Sequence, residues 1–289
     1  MNVEQYVVNI GNVAFHILSA EPICWKESDK SFFGKGDAKT EVFVQIDFVN
    51  ELPFIEEGLL YRSDSIDFYT APDGTDVRKY RALFKEGHPL YAVSMCDGSK
   101  IQIYFLNGTD IWTNPNMRIW SLLHLESILL SVSGIVLHAC YLMDQEQAIL
   151  FTAPSGAGKT TQANLWKQNY NSMIVNGDKC LLLKDNTAWY ACGFPYHGSS
   201  QECENQRYLI KAIVIVRQSE IDSIEEISGL RKLSLVYSEC TVNSWDKKKV
   251  SAALDLLDDL CARVPVLILN CTMNRSAAEI LHGYIYGEK

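Results

Sequence analysis

Hydrophobic and polar positions change rhythm once along this chain, near residue 115. Before that point apolar residues alternate with polar ones, as in EVFVQIDFV (41–49) and KIQIYFL (100–106). A period of two sends successive side chains to opposite faces, so both segments are predicted to be half-buried strands. SIDFYTA (65–71) and LYAVSMC (90–96) are shorter candidates, with turn chemistry at PDGTD (72–76) and CDGSK (96–100). Beyond the change, NMRIWSLLHLESILLSVS (116–133) spaces Ile119, Leu122, Leu123, Ile128 and Leu129 as an amphipathic helix does. GIVLHACYL (134–142) and QAILFTA (147–153) read as strands, TTQANLWKQ (160–168) as a helix, and SMIVNGD (172–178) with CLLLKD (180–185) as a strand pair. LIKAIVIVRQ (209–218) is apolar almost throughout, as expected of a strand buried on both faces. Helical patterns at LRKLSLVYSEC (230–240) and KKVSAALDLLDDLCARV (248–264), a strand at PVLILNC (265–271) and a helix at SAAEILHGYIYG (276–287) complete the chain.

These elements predict two domains. Residues 1–112 form a smaller, mostly-β N-terminal domain, and residues 113–289 an α/β domain whose sheet carries a glycine loop, so the chain is α+β overall. The first domain shows no catalytic constellation; recognition of an acceptor or partner is the role left for it.

Composition narrows the function. The net charge is −9 and the densest basic run is DKKKV (246–250), so no nucleic-acid partner is expected. No apolar stretch approaches the roughly eighteen residues of a membrane span. MNVEQYVVNIGNVAF has an acidic residue where a signal peptide is basic and lacks an uninterrupted apolar region, so a cytoplasmic location is expected. The nine cysteines are scattered without a C-x-x-C, which argues against a zinc ribbon and for reduced core thiols. Self-association is left open.

The chemistry concentrates in FTAPSGAGKTTQANLW (151–166). Its pattern is that of a phosphate-binding loop, G-x-x-x-x-G-K-[ST], with Ala153 in place of the first glycine. Such a loop needs backbone N–H groups converging on a phosphate at a helix N-terminus. Gly156 and Gly158 fall in its tightest part, Lys159 can reach terminal phosphates, and the Thr160 hydroxyl can ligate Mg²⁺. Position 153 is the strand exit, where alanine suffices if φ stays negative. Asp178 in VNGDKC is the candidate metal carboxylate at a strand end, although NGDK is also good hairpin chemistry. His138 precedes Ala153 by fifteen positions, on the preceding strand; it is either a packed core histidine or, across an antiparallel pair, a neighbour of the loop. In PYHGSSQEC (195–203), His197, Ser199 and Ser200 either line the ligand side or belong to a plain connection. Trp245 reads as packing, and the acids of LDLLDDL (254–260) as a solvated helix face.

The order LHA, short hairpin, AILFTAPSGAGKTT, then MIVNGD resembles the C-terminal domain of HPr kinase/phosphorylase, a phosphoenolpyruvate-carboxykinase-like P-loop fold with a mixed sheet. The likeness covers about 115–289 and is greatest to short bacterial HPr-kinase-like or serine-kinase-like relatives, some of which accompany peptide-modification systems; GFPYHGSS (193–200) and CTVNSWD (240–246) also look like that subgroup. The resemblance implies an ATP- and Mg²⁺-dependent kinase that transfers the γ-phosphoryl group to a hydroxyl of a protein, a peptide or a small molecule. Carried over, Ala153, Pro154, Ser155, Gly156, Ala157, Gly158, Lys159, Thr160 and Thr161 form the nucleotide loop. Thr160 and Asp178 bind the metal, and His138, Lys159 and Asp178 are the catalytic set. The chain departs from the family where Gly177 replaces the first of two aspartates, beside Asn176. One carboxylate cannot easily both bind metal and activate the acceptor, so a base is sought in His138, His197 or Glu202. ECENQR (202–207), with Glu202, Glu204 and Arg207, only loosely echoes the family's glutamate–arginine signature; neither phosphorylase activity nor HPr as substrate is supported. The alternatives are a regulatory nucleotide-binding protein, which Gly177 favours, and a P-loop NTPase, for which no arginine finger is recognisable.

Overall fold

The period-two segments of the first half form a single sheet. In the computed structural model of the protein, residues 3–34, 38–54, 58–82, 87, 89–108, 119–198, 200 and 202–287 are described. The chain divides into two units, Met1–Val132 with Ser244–Asp246, and Ser133–Asn243 with Lys247–Lys289. The first holds β1 (Glu4–Ile10), β2 (Val13–Ser19), β3 (Thr40–Val49), β4 (Leu59–Arg62), β5 (Ile66–Thr70), β6 (Asp76–Arg81), β7 (Leu90–Asp97) and β8 (Lys100–Leu106). Their order is β1-β2-β3-β8-β7-β6-β5-β4, parallel at β2–β3 and β3–β8 and antiparallel elsewhere. The alternation has its expected consequence: Val42, Val44 and Ile46 of β3, and Ile101, Ile103 and Phe105 of β8, are buried.

The helix expected over 116–133 is broken, and its first three residues lie outside the described ones. A 3-10 helix (Ile119–Leu122) is followed by α1 (Leu125–Ser131), and between them His124 takes a left-handed conformation with φ 50°. The cause is a polar ring in the core. His124 is fully buried, its Nε2 lies 2.7 Å from Ser94 Oγ, and its Nδ1 lies 3.5 Å from Asp76 Oδ1. A buried imidazole without any partner would be costly, and Ser94 meets its Nε2. Trp120 Nε1 donates to Asp29 and Tyr80 Oη to the Ser121 carbonyl, so this stretch belongs to the first unit. The division accordingly falls at Val132/Ser133, later than the expected 112/113. Trp245 also belongs to the first unit, where it stacks on Tyr61 with centroids 4.6 Å apart, as the packing reading requires.

The second unit contains β9 (Gly134–Asp144), β10 (Gln147–Thr152), α2 (Lys159–Tyr170), β11 (Met173–Asn176), β12 (Lys179–Asp185), β13 (Ala188–Cys192) and β14 (Arg207–Gln218). After these come β15 (Ser223–Glu226), α3 (Gly229–Tyr237), β16 (Cys240–Thr241), α4 (Lys247–Arg263), β17 (Val266–Cys271) and α5 (Arg275–Tyr286). Its sheet is mixed, ordered β10-β9-β12-β13-β14-β17-β15, and β10 also pairs in parallel with β14, so five strands close a circuit. β11 and β12 do not form the expected pair; both lie antiparallel to β9, end to end. Trp166 of α2 and Leu281 of α5 join Phe151, Val214 and Leu269 in one core that seats α2 against the sheet. No helix among the described residues is long and apolar enough to cross a membrane. None of the nine cysteines forms a disulfide, and six are buried, as expected of core thiols.

The acidic face of α4 is only partly solvated. Asp255 and Asp258 are exposed, but Asp259 accepts hydrogen bonds from Trp189 Nε1 (2.9 Å) and Arg263 Nε (2.9 Å) and pairs with Lys184 Nζ (3.0 Å). Burial pushes its carboxyl up, yet Arg263, Trp189 and Lys184 together outweigh burial and bring it down to about 2. A depressed carboxylate contributes stability above its ordinary value and loses that contribution as pH falls through the folded one. Asp259→Asn therefore lowers stability by a constant amount above about pH 5, and the gap between wild type and variant narrows below that, closing only as pH falls to about 2. Urea unfolding followed across that range checks this.

Candidate functional site

Two-sided pairing of β9 assembles the site. On one edge β9 faces β10, with Thr152 opposite Ala139, and the Thr152 hydroxyl donates to the His138 carbonyl at 2.8 Å. On the other edge His138 lies opposite Lys179, and the Ala139 N–H donates to the Asp178 carbonyl. The His138 N–H donates to the carbonyl of Glu239, just ahead of β16. One histidine is thus flanked by the loop strand, by Asp178 and by a residue the sequence did not single out.

The loop 153–158 leaves β10 at Ala153, which is fully buried and not among the residues of positive φ. The condition under which alanine can replace the first glycine is met. Gly158 adopts φ 106°, a conformation that L side chains rarely take, so the turn favours glycine, and an added Cβ would also have to push aside the end of the Met273 side chain. α2 starts immediately after it, with no side chain capping its free N–H groups. Uncapped N–H groups and a helix dipole offer partial positive charge to an anion. Lys159 is buried; its Nζ donates to the carbonyls of Ala153 (2.7 Å) and Pro154 (3.3 Å). Burial lowers its pKa, opposed by Glu239, Asp178 and Cys140. Thr160 and Thr161 are exposed on the first turn.

Asn176 builds the kink that carries Asp178. It is fully buried; its Oδ1 accepts the N–H groups of Asp178 and Lys179, both at 2.9 Å, and its Nδ2 donates to the carbonyls of Phe194 (2.7 Å) and Tyr196 (3.0 Å). The amide therefore bends the chain between β11 and β12 and ties it to the 194–196 segment, and NGDK is not a hairpin turn. Asp178 and Glu239 then bracket the histidine: His138 Nε2 lies 3.5 Å from Asp178 Oδ1 and Nδ1 lies 3.1 Å from Glu239 Oε2.

Gly177, where the resembled family has an acid, faces Ser200; a Cβ at 177 would overlap the Ser200 side chain. An acid placed there would displace Ser200 rather than enter vacant space. Glu202 accepts from Ser200 Oγ at 2.8 Å and from Lys167 Nζ at 3.4 Å. The Ser200 hydroxyl first, then its own amide and Lys167, hold its carboxyl below the usual range despite partial burial. His197 Nδ1 meets the Ser200 carbonyl. Ser199 lies outside the described residues.

These groups share one cavity of about 460 Å³, lined by the loop, the first turn of α2, His138, Gly177, Asp178, His197, Ser200 and Glu202. Of the residues considered from sequence, the structure brings together His138, Lys159, Thr160, Asp178, His197, Ser200 and Glu202. Arg207 instead pairs with Asp185 and covers the Tyr190 ring, and Glu204 is exposed. Among the described residues no three His, Cys, Asp or Glu side chains are grouped to hold a metal ion, so a cation here would rely on Thr160, Asp178 and ligand oxygens.

Comparison with known proteins gives little. No family model matches the chain, and no curated protein matches it. Among solved structures, the HPr(Ser) kinase/phosphatase from Coxiella burnetii is similar at 9% identity, over 53% of this chain and 94% of that one, with a TM-score of 0.31. A likeness at that level carries no argument about what this chain does.

Asn176→Ala removes the four bonds of the kink and leaves buried amides and carbonyls unpaired. It is expected to destabilise the protein by about 2–4 kcal/mol, measured by denaturant unfolding, whereas Thr161→Ala stays close to wild type.

Proposed function

We propose that the protein is a kinase, which binds a nucleoside triphosphate at the 153–161 loop and transfers its terminal phosphoryl group to a hydroxyl. The carrying observation is the shared cavity: a phosphate-type loop and buried lysine on one part of its wall, an imidazole and carboxylates on another. A phosphate cradle alone suits many P-loop functions; the added proton-accepting groups suit transfer.

The loop amides and the α2 N-terminus would hold the phosphates. Lys159 exchanges the carbonyls of Ala153 and Pro154 for phosphate oxygens, and its positive charge opposes the charge that develops during transfer. The uncapped helix start and the exposed Thr160 hydroxyl fit a phosphate-bound Mg²⁺, which Thr160 and Asp178 would hold and which neutralises phosphate charge. Because Asp178 has that task, the acceptor's proton goes elsewhere. Glu239 at Nδ1 favours the tautomer with the proton on that nitrogen, leaving His138 Nε2 to accept. Glu202 is the second acceptor in reach of the cavity. Glu202 and Glu239 supply the acid missing at 177, so Gly177 is no bar to transfer.

Transfer of ³²P from γ-labelled ATP to pooled peptides and small hydroxyl compounds tests this reading. Wild type is expected to label an acceptor, and Lys159→Ala to lose both labelling and triphosphate binding. Binding without transfer to any acceptor would favour a regulatory nucleotide-binding protein. Glu239→Gln is expected to shift His138 toward a mixture of tautomers, read from imidazole ¹⁵N shifts, and to lower the transfer rate by about tenfold to a hundredfold with little change in triphosphate affinity.

A further inference from the structure

A hydroxyl already hydrogen-bonded to a carboxylate lies inside the phosphate cavity. Ser200 lines it together with Lys159, Thr160 and Asp178. Its Oγ donates to Glu202 Oε2 at 2.8 Å, while the other oxygen of Glu202 faces Lys167 at 3.4 Å. Two glycines seat this hydroxyl. The missing side chain at Gly177 leaves the volume that Ser200 fills, and Gly198, at φ 58°, holds the segment so close to Asp178 that an added Cβ would lie 3.0 Å from its Cγ. The result is a serine hydroxyl beside the proposed metal carboxylate, with a proton acceptor in contact, which is the arrangement a kinase requires of its acceptor.

We propose that Ser200 is itself a phosphoryl acceptor, modified by the protein's own transfer from a nucleoside triphosphate. The inference rests on the kinase reading of the same cavity. Ser200 Oγ forms a bond to the terminal phosphorus, the bond from that phosphorus to its bridging oxygen breaks, and nucleoside diphosphate departs. The hydroxyl proton passes to Glu202 Oε2. The phosphoserine adds roughly two negative charges beside Asp178 and Glu202. Like charge there disfavours rebinding of a triphosphate, so the modification limits its own site.

Full-length protein incubated with ATP and Mg²⁺, then examined by intact mass and peptide fragmentation, tests the proposal. One phosphoryl group on Ser200, rather than on Ser199, is expected in wild type. It should be absent from Lys159→Ala and Ser200→Ala and formed about a hundredfold more slowly in Glu202→Gln. Binding of a non-hydrolysable triphosphate gives an independent readout: Ser200→Asp is expected to bind about tenfold more weakly than Ser200→Asn. Equal affinities would overturn the placing of this side chain beside the phosphates. Triphosphate bound by wild type with Ser200 unmodified would overturn the proposal and leave the nucleotide-binding reading intact. No triphosphate binding at all would overturn both.

Discussion

The pairing of β9 on both edges is the constraint on which the second unit depends. Strand ladders fix which residues sit side by side, and a one-residue slip sends every side chain to the opposite face. Here the register sets Thr152 opposite Ala139 and Lys179 opposite His138, and it joins the His138 amide to the Glu239 carbonyl. The loop exit and Glu239 are therefore located by backbone hydrogen bonds, and Asp178 by one such bond together with the buried side chain of Asn176. A slip against β12 or against the segment at Glu239 would separate the imidazole from a carboxylate, and a slip against β10 would move the loop exit away from it.

Charge explains why this arrangement suits a phosphate ligand. The loop, the start of α2 and Lys159 offer positive potential, while Asp178, Glu202 and Glu239 bring negative charge to the same region. Lys159 donates to loop carbonyls, and burial favours its neutral form against the pull of Glu239 and Asp178. A triphosphate with its cation would offer that ammonium stronger, charge-assisted partners. On the proposed kinase reading the carboxylates would have separate tasks: Asp178 toward a cation, Glu239 at the imidazole of His138 and Glu202 at the Ser200 hydroxyl.

Features carried by short stretches were legible in the sequence. The alternation in β3 and β8, the buried run of β14, the helix after the glycine loop and the nearness of His138 to that loop all follow from local period or from a short hairpin. Asp178 was legible as a carboxylate at a strand end, but not how it is held, because Asn176 does this by reaching the 194–196 carbonyls. Glu239 was not legible at all: it lies 101 residues from His138, and the two-residue strand beside it has no pattern to detect. The break at His124 depends on Ser94 and Asp76, and the bonds of Asp259 on Lys184 and Trp189; only the fold brings these together. Local pattern thus yields elements and the loop, and long-range pairing yields the chemistry around the histidine.

A crystal structure of the protein with Mg²⁺ and a non-hydrolysable ATP analogue tests the central claim most directly. The account predicts phosphate oxygens on the amides of 156–160, Lys159 moved from the loop carbonyls onto the phosphates, and the terminal phosphate directed toward His138 and Asp178. An analogue bound elsewhere, or a loop that keeps Lys159 on Ala153 and Pro154 at saturating nucleotide, would contradict it.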